Sequence, residues 1–373
     1  MMRDAADRAS ATAASDEHDG ARARLVAWLL DGPAQQRAGE HAGAVAGVVR
    51  SDGRAEYVYP EITGYYLQWL AWRARDGAPH GPLASRAAAA HAWLATWCAD
   101  ARPLTRVHLA PVDDWRNHAS FTFDVAMALR GIAAAARAGL IEPDARAVAR
   151  IAALALDARA DDGVLDACRM HAGRPPLAAR WSTRRGPFLA KAAAGLLDAA
   201  ELPGFPPALR DAAARTLSAS CAEARTGLHA ETHPAMYAAE GLLARVDDLD
   251  ARRLYPRLAG HLARLLEAIA ELGTVPEHVE RGGVARLDIV AQALRVGCLL
   301  RAHGVAGAPA RPTLDRLATM LAASVSPAGA LAFAPAAQAP HLCVWAAMFA
   351  EQALAYWQAG DGLASLAWHP TLV

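Results

Sequence analysis

The sequence predicts an all-α protein, an (α/α)6 toroid of six helical hairpins with short β-hairpins in the loops of one rim. Three observations carry that expectation. Roughly a quarter of the 373 residues are alanine, the strongest helix former, while aromatic residues make up only 6%. Helical periodicity can be followed from end to end, punctuated by Pro and Gly. Two kinds of segment alternate along it, with a recurrence of roughly 55 residues that marks a repeated hairpin.

Outer helices, with one apolar stripe and a wet face, are expected near residues 21 to 31, 83 to 101, 142 to 158, 206 to 224, 250 to 272 and 312 to 324. In the fifth, Leu254, Leu258, Leu262, Leu265, Ile269 and Leu272 share one stripe, and Arg252, Arg253, Arg257 and Arg264 lie elsewhere. Inner helices follow each, starting near Pro60, His118, Gly186, Thr232, Val284 and Pro340. The fifth spreads Val284, Leu287, Ile289, Val290, Leu294, Val296, Leu299 and Leu300 around most of its circumference, as a helix enclosed by others does. Small turns, SDG at 51 to 53, DDG at 161 to 163 and PAG at 327 to 329, predict the β-hairpins of the outer-to-inner connections. The absence of polar capping repeats favours a closed ring over an open solenoid. Residues 1 to 20, polar and of mixed charge, read as a disordered tail, and 21 to 373 as a single toroid domain.

Composition narrows the function. The 38 basic and 38 acidic residues cancel, which disfavours nucleic-acid binding by bulk charge. The first twenty residues lack the apolar core of a secretory signal, arginines interrupt every candidate membrane span, and five scattered cysteines show no C-x-x-C pair. A cytoplasmic protein without a transmembrane segment, metal or cofactor is the expectation. Two oddities stand out against the alanine and arginine bias: Lys191 is the only lysine and Asn117 the only asparagine.

In a closed ring the N-terminal ends of all six inner helices face one mouth, and the polar residues of the sequence collect there. Glu61, Asn117, His118, Asp124, His233, Tyr237 and Asp288 form the candidate catalytic set. Tyr59, Tyr65, Trp115, Trp181, Arg184, Lys191, Glu231, Arg281, Gln292 and Trp345 form the candidate substrate-binding set. Aromatic faces suit sugar rings, and helix N-termini add a positive dipole end. Asp124, Lys191 and Asp288 each lie inside an apolar helix, where a charge needs a partner. An ion pair of Lys191 with Asp124 or Asp288 is one reading, beside catalysis.

The segments YPEITGYYLQWL (59 to 70), FTFDVAMALRGI (121 to 132), RWSTRRGPFLAKAAAGLL (180 to 197), THPAMYAAEGLL (232 to 243) and ARLDIVAQALRVG (285 to 297) together resemble bacterial α/α-toroid proteins with prenyltransferase and squalene-oxidase-type repeats. Such proteins occur in polysaccharide biosynthesis clusters. The resemblance implies the toroid and a role in surface-glycan metabolism. Asn117-His118 is also similar to the Asn-His pair of alginate-lyase-like toroid enzymes, where a tyrosine moves the proton. The expectation is therefore a carbohydrate-active enzyme using acid/base chemistry on a glycan or sugar intermediate, as hydrolase, lyase or epimerase, with biosynthetic-complex partners. The alternatives are a non-catalytic glycan or lipid-carrier binding module and a terpenoid cyclase or prenyltransferase-like enzyme.

Overall fold

The computed structural model describes residues 2–100, 103–272, 277–278, 285–334, 341–365 and 372–373, with side chains from Glu17 onward except at 270–272, 361 and 364–365. The expected alternation is present. Outer helices α1 (Met2–Asp31), α3 (His80–Trp97), α5 (Ala145–Leu156), α7 (Pro207–Thr226), α10 (Tyr255–Leu272) and α12 (Arg311–Ala323) alternate with inner helices α2 (Pro60–Arg75), α4 (Thr122–Arg137), α6 (Leu189–Asp198), α8 (Thr232–Leu243), α11 (Leu287–Ala302) and α13 (Val344–Ala359). Among the described residues one short α-helix, α9 (Leu249–Arg252), interrupts the pattern. Going round the inner layer, α2 packs on α4, α4 on α6, α6 on α8, α8 on α11, α11 on α13, and α13 back on α2. The ring is closed.

The inner helices are buried over most of their length: α8 from Thr232 to Leu243, α11 from Leu287 to Leu300 and α13 from Val344 to Tyr356. The outer helices bury one stripe, as α5 does with Ala147, Val148, Ile151, Ala152 and Ala155. This is the division of apolar residues read from the periodicity. Four of the six inner helices start three or four residues later than the pattern suggested, because extended, turn or 3-10 segments lead into them. Trp115–His118 is a 3-10 turn, and β4 (Ala119–Phe121) precedes α4.

Short strands decorate the rim. β1 (Ala46–Val49) and β2 (Ala55–Val58) form the hairpin expected around the SDG turn, and β3 (Val107–His108) and β6 (Leu342–Cys343) extend it to a sheet of order β3-β2-β1-β6. β4 pairs antiparallel with β5 (Cys168–Met170). Single bridges Arg159↔Leu165 and Val325↔Leu331 close the other two turns.

At the N-terminus the structure departs from the expectation. α1 runs back through the residues read as a disordered tail, and the alanine-rich segment has the propensity for it. His18 is buried against the Trp357 ring at 4.4 Å, so the body of the protein reaches at least that far.

Three glycines set the spacing of the inner ring. A Cβ at Gly64 would lie 2.3 Å from the Met127 carbonyl oxygen, and one at Gly131 2.3 Å from the Gly64 oxygen, so α2 and α4 meet backbone to backbone. A Cβ at Gly241 would lie 2.2 Å from Lys191 N, so α8 meets α6 in the same way. Gly241→Ala is expected to destabilise the fold by about 1–3 kcal/mol through overpacking, despite a gain of up to about 1 kcal/mol in helix propensity. Denaturant unfolding that showed equal or greater stability would contradict this.

Candidate active site

Every inner helix supplies a side chain at or near its N-terminus to one cavity of about 410 Å³. Its wall contains Glu61 of α2, Asp124 of α4, Phe188 ahead of α6, His233 and Tyr237 of α8, Arg286 ahead of α11 and Trp345 of α13. Tyr59, Ile62, Arg106, Arg116, Phe121, Phe123, Ala179, Arg180, Trp181, Ser182, Glu231, Glu277 and Phe333 complete the lining. Convergence follows from topology: antiparallel hairpins in a closed ring aim all inner N-termini at one rim.

Two groups in the cavity hold and accept protons. Glu61 and Asp124 are both buried and close enough to share a proton, and Tyr59 Oη donates to Asp124 Oδ2 at 2.9 Å. Burial comes first and the Glu61 charge second in pushing the Asp124 carboxyl well above the ordinary range, and burial raises Glu61 as well. Two carboxylates in contact cannot both ionise, so the pair retains a proton that Asp124 donates to Glu61.

His233 is the second group. Its Nδ1 lies 2.8 Å from Gln292 Oε1 and 3.5 Å from Asp288 Oδ2, and its ring packs on Tyr237 at 4.3 Å between centroids. Burial, and then the Arg286 charge, push its pKa down to about 4, so the imidazole is neutral at pH 7. Asp288 remains ionised despite burial: Arg286 binds it with both Nε (3.1 Å) and Nη2 (2.7 Å), and Trp345 Nε1 donates at 3.2 Å. Tyr237 is held well above the ordinary phenol value by burial and keeps its proton.

Of the candidate residues, Tyr59, Glu61, Asp124, Trp181, Glu231, His233, Tyr237 and Trp345 share the cavity. Asp288 and Gln292 stand directly behind His233. Tyr65 and Lys191 lie beneath, fully buried, with Lys191 Nζ 4.8 Å from the Tyr65 ring centre. Lys191 pairs with neither Asp124 nor Asp288 but with Glu240 at 2.8 Å. The reason is spacing: Gly241 brings α8 against α6 beside Lys191, and Glu240 is its neighbour in sequence.

Asn117 and His118 are not among the cavity residues. Asn117 Oδ1 accepts from Arg106 N and its Nδ2 donates to Arg106 O, both at 2.8 Å, so the lone asparagine clamps the loop that carries Arg106 into the cavity. His118 Nε2 lies 3.6 Å from the exposed Asp113. Trp115 packs edge-on against Phe121, and the Arg116 and Arg180 guanidiniums lie 4.3 and 4.9 Å from its ring centre. Arg184 lines an adjoining recess with Arg180, Trp181 and Glu231. Arg281 lies outside the described residues.

Sequence reasoning missed Arg106, Arg116, Arg180, Phe123, Glu277, Arg286 and Glu240. Arginine is so common in this chain that a functional one carries no mark. Glu240, inside the apolar THPAMYAAEGLL segment, was legible by the rule that exposed Asp124, Lys191 and Asp288.

No family model matches the chain, and no curated protein matches it in sequence. Its backbone is similar to cellobiose 2-epimerase from Spirochaeta thermophila DSM 6192, with a TM-score of 0.64 and 14% identity over 92% of this chain and 97% of that one. An unsaturated glucuronyl hydrolase from Bacillus sp. GL1 gives 0.56 and 15% over 94% and 97%, and a sugar epimerase from a ruminal bacterium 0.56 and 11% over 80% and 85%. The chain has the α/α-toroid fold.

The carboxyl pair of this toroid is tied to stability with a definite sign. Its carboxyls are raised on folding, so its contribution is most favourable at low pH and declines as pH rises above the ordinary carboxylate range toward the folded values. Each unit of that rise corresponds to about 1.4 kcal/mol. Asp124→Asn is expected to raise Tm relative to the parent more at pH 7.5 than at pH 4. An equal change at both would contradict the proton-sharing pair.

Proposed function

We propose that this protein is a carbohydrate-active enzyme that moves a proton on a sugar, with His233 as base and the Asp124–Glu61 pair as acid. One observation carries the reading: a neutral imidazole and a protonated carboxyl open into the same aromatic-lined cavity, whose volume suits a small oligosaccharide. Trp181, Phe123, Phe188, Phe333 and Trp345 offer flat apolar faces to sugar rings, and Arg106, Arg116, Arg180, Glu231 and Glu277 offer partners for hydroxyls.

Spacing argues against hydrolysis by the carboxyl pair. The two carboxyls of a glycosidase stand about 5–5.5 Å apart when retaining and about 6.5–9.5 Å when inverting. Glu61 and Asp124 are close enough to share a proton, a nearer approach than either arrangement uses. Asp288 is bound to Arg286. The chemistry best supported is proton transfer at the carbon next to the carbonyl of an open-chain sugar.

In that step His233 Nε2 takes the carbon-bound proton and the electron pair of the C–H bond passes into an enediol, while Asp124 protonates the carbonyl oxygen. The enediol turns over in the cavity, His233 returns the proton to the opposite face of the same carbon and Asp124 takes back the oxygen-bound proton, which gives the epimer. Return of the proton to the former carbonyl carbon, with the neighbouring hydroxyl passing its proton to Asp124, gives the isomer, and no oxidant is consumed. The Arg106 and Arg116 charges stabilise negative charge developing on the oxygens. The similarity of fold to two sugar epimerases supports the reading, and the motif resemblance supports a substrate drawn from surface-polysaccharide metabolism.

Reducing mono- and disaccharides and uronate-ended oligosaccharides, incubated with the protein in D2O and followed by NMR, test it. The expected result is an epimer or isomer carrying deuterium next to the carbonyl. New reducing ends without deuterium would establish hydrolysis instead. His233→Ala is expected to lower the rate by about 10²- to 10⁴-fold. Because the base is unprotonated down to about pH 4, the acidic limb of kcat/KM is expected there; a limb near the ordinary histidine value of 6.5 would exclude His233 as the base.

A further inference from the structure

The only lysine of the chain lies under the cavity rather than in its wall. Lys191 Nζ donates to Glu240 Oε2 at 2.8 Å and to the Val373 carbonyl oxygen at 3.1 Å, and the Tyr65, Tyr237 and Phe349 ring centres stand 4.8, 4.7 and 5.2 Å away. Arg295 Nη2 donates to the other oxygen of Glu240. Against full burial, the Arg295 guanidinium first and Lys191 second hold the Glu240 carboxyl below its ordinary value, so it is ionised, while burial brings Lys191 itself down to about 7.

An ionised carboxylate can only accept hydrogen bonds. Gln292 meets Glu240 Oε2 at 3.3 Å, so the amide must present its NH2 there and turn its carbonyl oxygen the other way. That oxygen is the atom 2.8 Å from His233 Nδ1. An amide oxygen has no proton to give, so the contact is a hydrogen bond only when Nδ1 carries the hydrogen. The groups around the ring agree: Asp288 Oδ2 also accepts and is also near Nδ1, Arg286 is engaged by Asp288, and Tyr237 and Trp181 meet the imidazole ring to ring, tilted and edge-on.

We propose that Lys191, Glu240 and Gln292 form a relay of positioning residues that selects the Nδ1–H tautomer of His233 and leaves the Nε2 lone pair to the cavity. A histidine's tautomer is set by the hydrogen bond its other nitrogen makes. Here the direction of that bond is fixed two residues away by charge. The opposite tautomer would put an N–H where a base needs a lone pair. The consequence for rate rests on the reading of His233 as base; the tautomer itself does not.

Nitrogen NMR of protein labelled with 15N-histidine tests the relay without any turnover, His233→Gln identifying the resonances. At pH 7 the wild type is expected to show a protonated Nδ1 and an unprotonated Nε2. Gln292→Met is expected to move both shifts toward the average of the two tautomers. Gln292→Glu, whose protonated form keeps a donor for Glu240 and an acceptor for His233, is expected to restore the pattern. With a sugar that is turned over, Gln292→Met lowers kcat on the order of 10- to 100-fold with KM little changed.

A wild-type spectrum with the proton on Nε2 overturns the proposal, whether or not any variant folds. So does Gln292→Met with unchanged shifts, which would leave Asp288 alone in control. If no sugar is turned over, the functional reading fails while the nitrogen shifts still decide the relay.

Discussion

The buried charge cluster of Lys191, Glu240 and Arg295 at the centre of the ring is the constraint from which the site above it follows. All three side chains are fully buried, and each belongs to a different inner helix: α6, α8 and α11. A buried ion pair is weak evidence for stability in itself, because desolvation offsets much of its attraction. Removing one partner, however, leaves an uncompensated charge and typically costs about 3–5 kcal/mol. The cluster therefore restricts how the three helices can rotate and slide against one another. The cavity sits on helix starts whose register it helps set.

The cavity separates two proton-handling groups by environment. On the α2–α4 side, burial and a second carboxyl keep a proton on an acid. On the α8–α11 side, burial and the Arg286 guanidinium keep a proton off an imidazole. Both effects come from withholding water from groups that would otherwise titrate near their ordinary values. The enclosing ring makes that possible, because six packed helices wall the cavity. Asp288 shows the other outcome of burial: with bidentate Arg286 and the Trp345 indole it stays charged and holds its place behind His233.

The architecture was legible because periodicity is a local signal repeated six times. The stripe of Leu254 to Leu272 and the all-round apolar surface of the segment after Val284 separated outer from inner helices without knowledge of any contact. Helix starts were less legible, since β4 and the 3-10 turn Trp115–His118 are set by pairing with β5 and by loop hydrogen bonds. The site was readable to the extent that a charge inside an apolar helix is conspicuous, which exposed Asp124, Lys191 and Asp288. Their partners were not readable. Lys191 meets Glu240 because Gly241 permits a backbone contact, and a contact across 49 residues leaves no trace in local spacing. Asn117 was conspicuous by rarity alone, and rarity does not distinguish a side chain that meets a ligand from one that fastens a loop.

The crossing of α2 and α4 has a chemical meaning beyond packing. Glu61 lies three residues before Gly64, and Asp124 seven before Gly131, on two helices held in backbone contact by those glycines. How strongly two carboxyls share a proton depends steeply on their separation, and that separation is governed here by the helix axes. A methyl group added at the crossing, a helical turn or two from the cavity, would part the two acids and weaken the share of the Asp124 rise that comes from the Glu61 charge, leaving the share that comes from burial. Proton affinity in this ring is thus a mechanical property of the scaffold, adjustable at positions that line no part of the cavity.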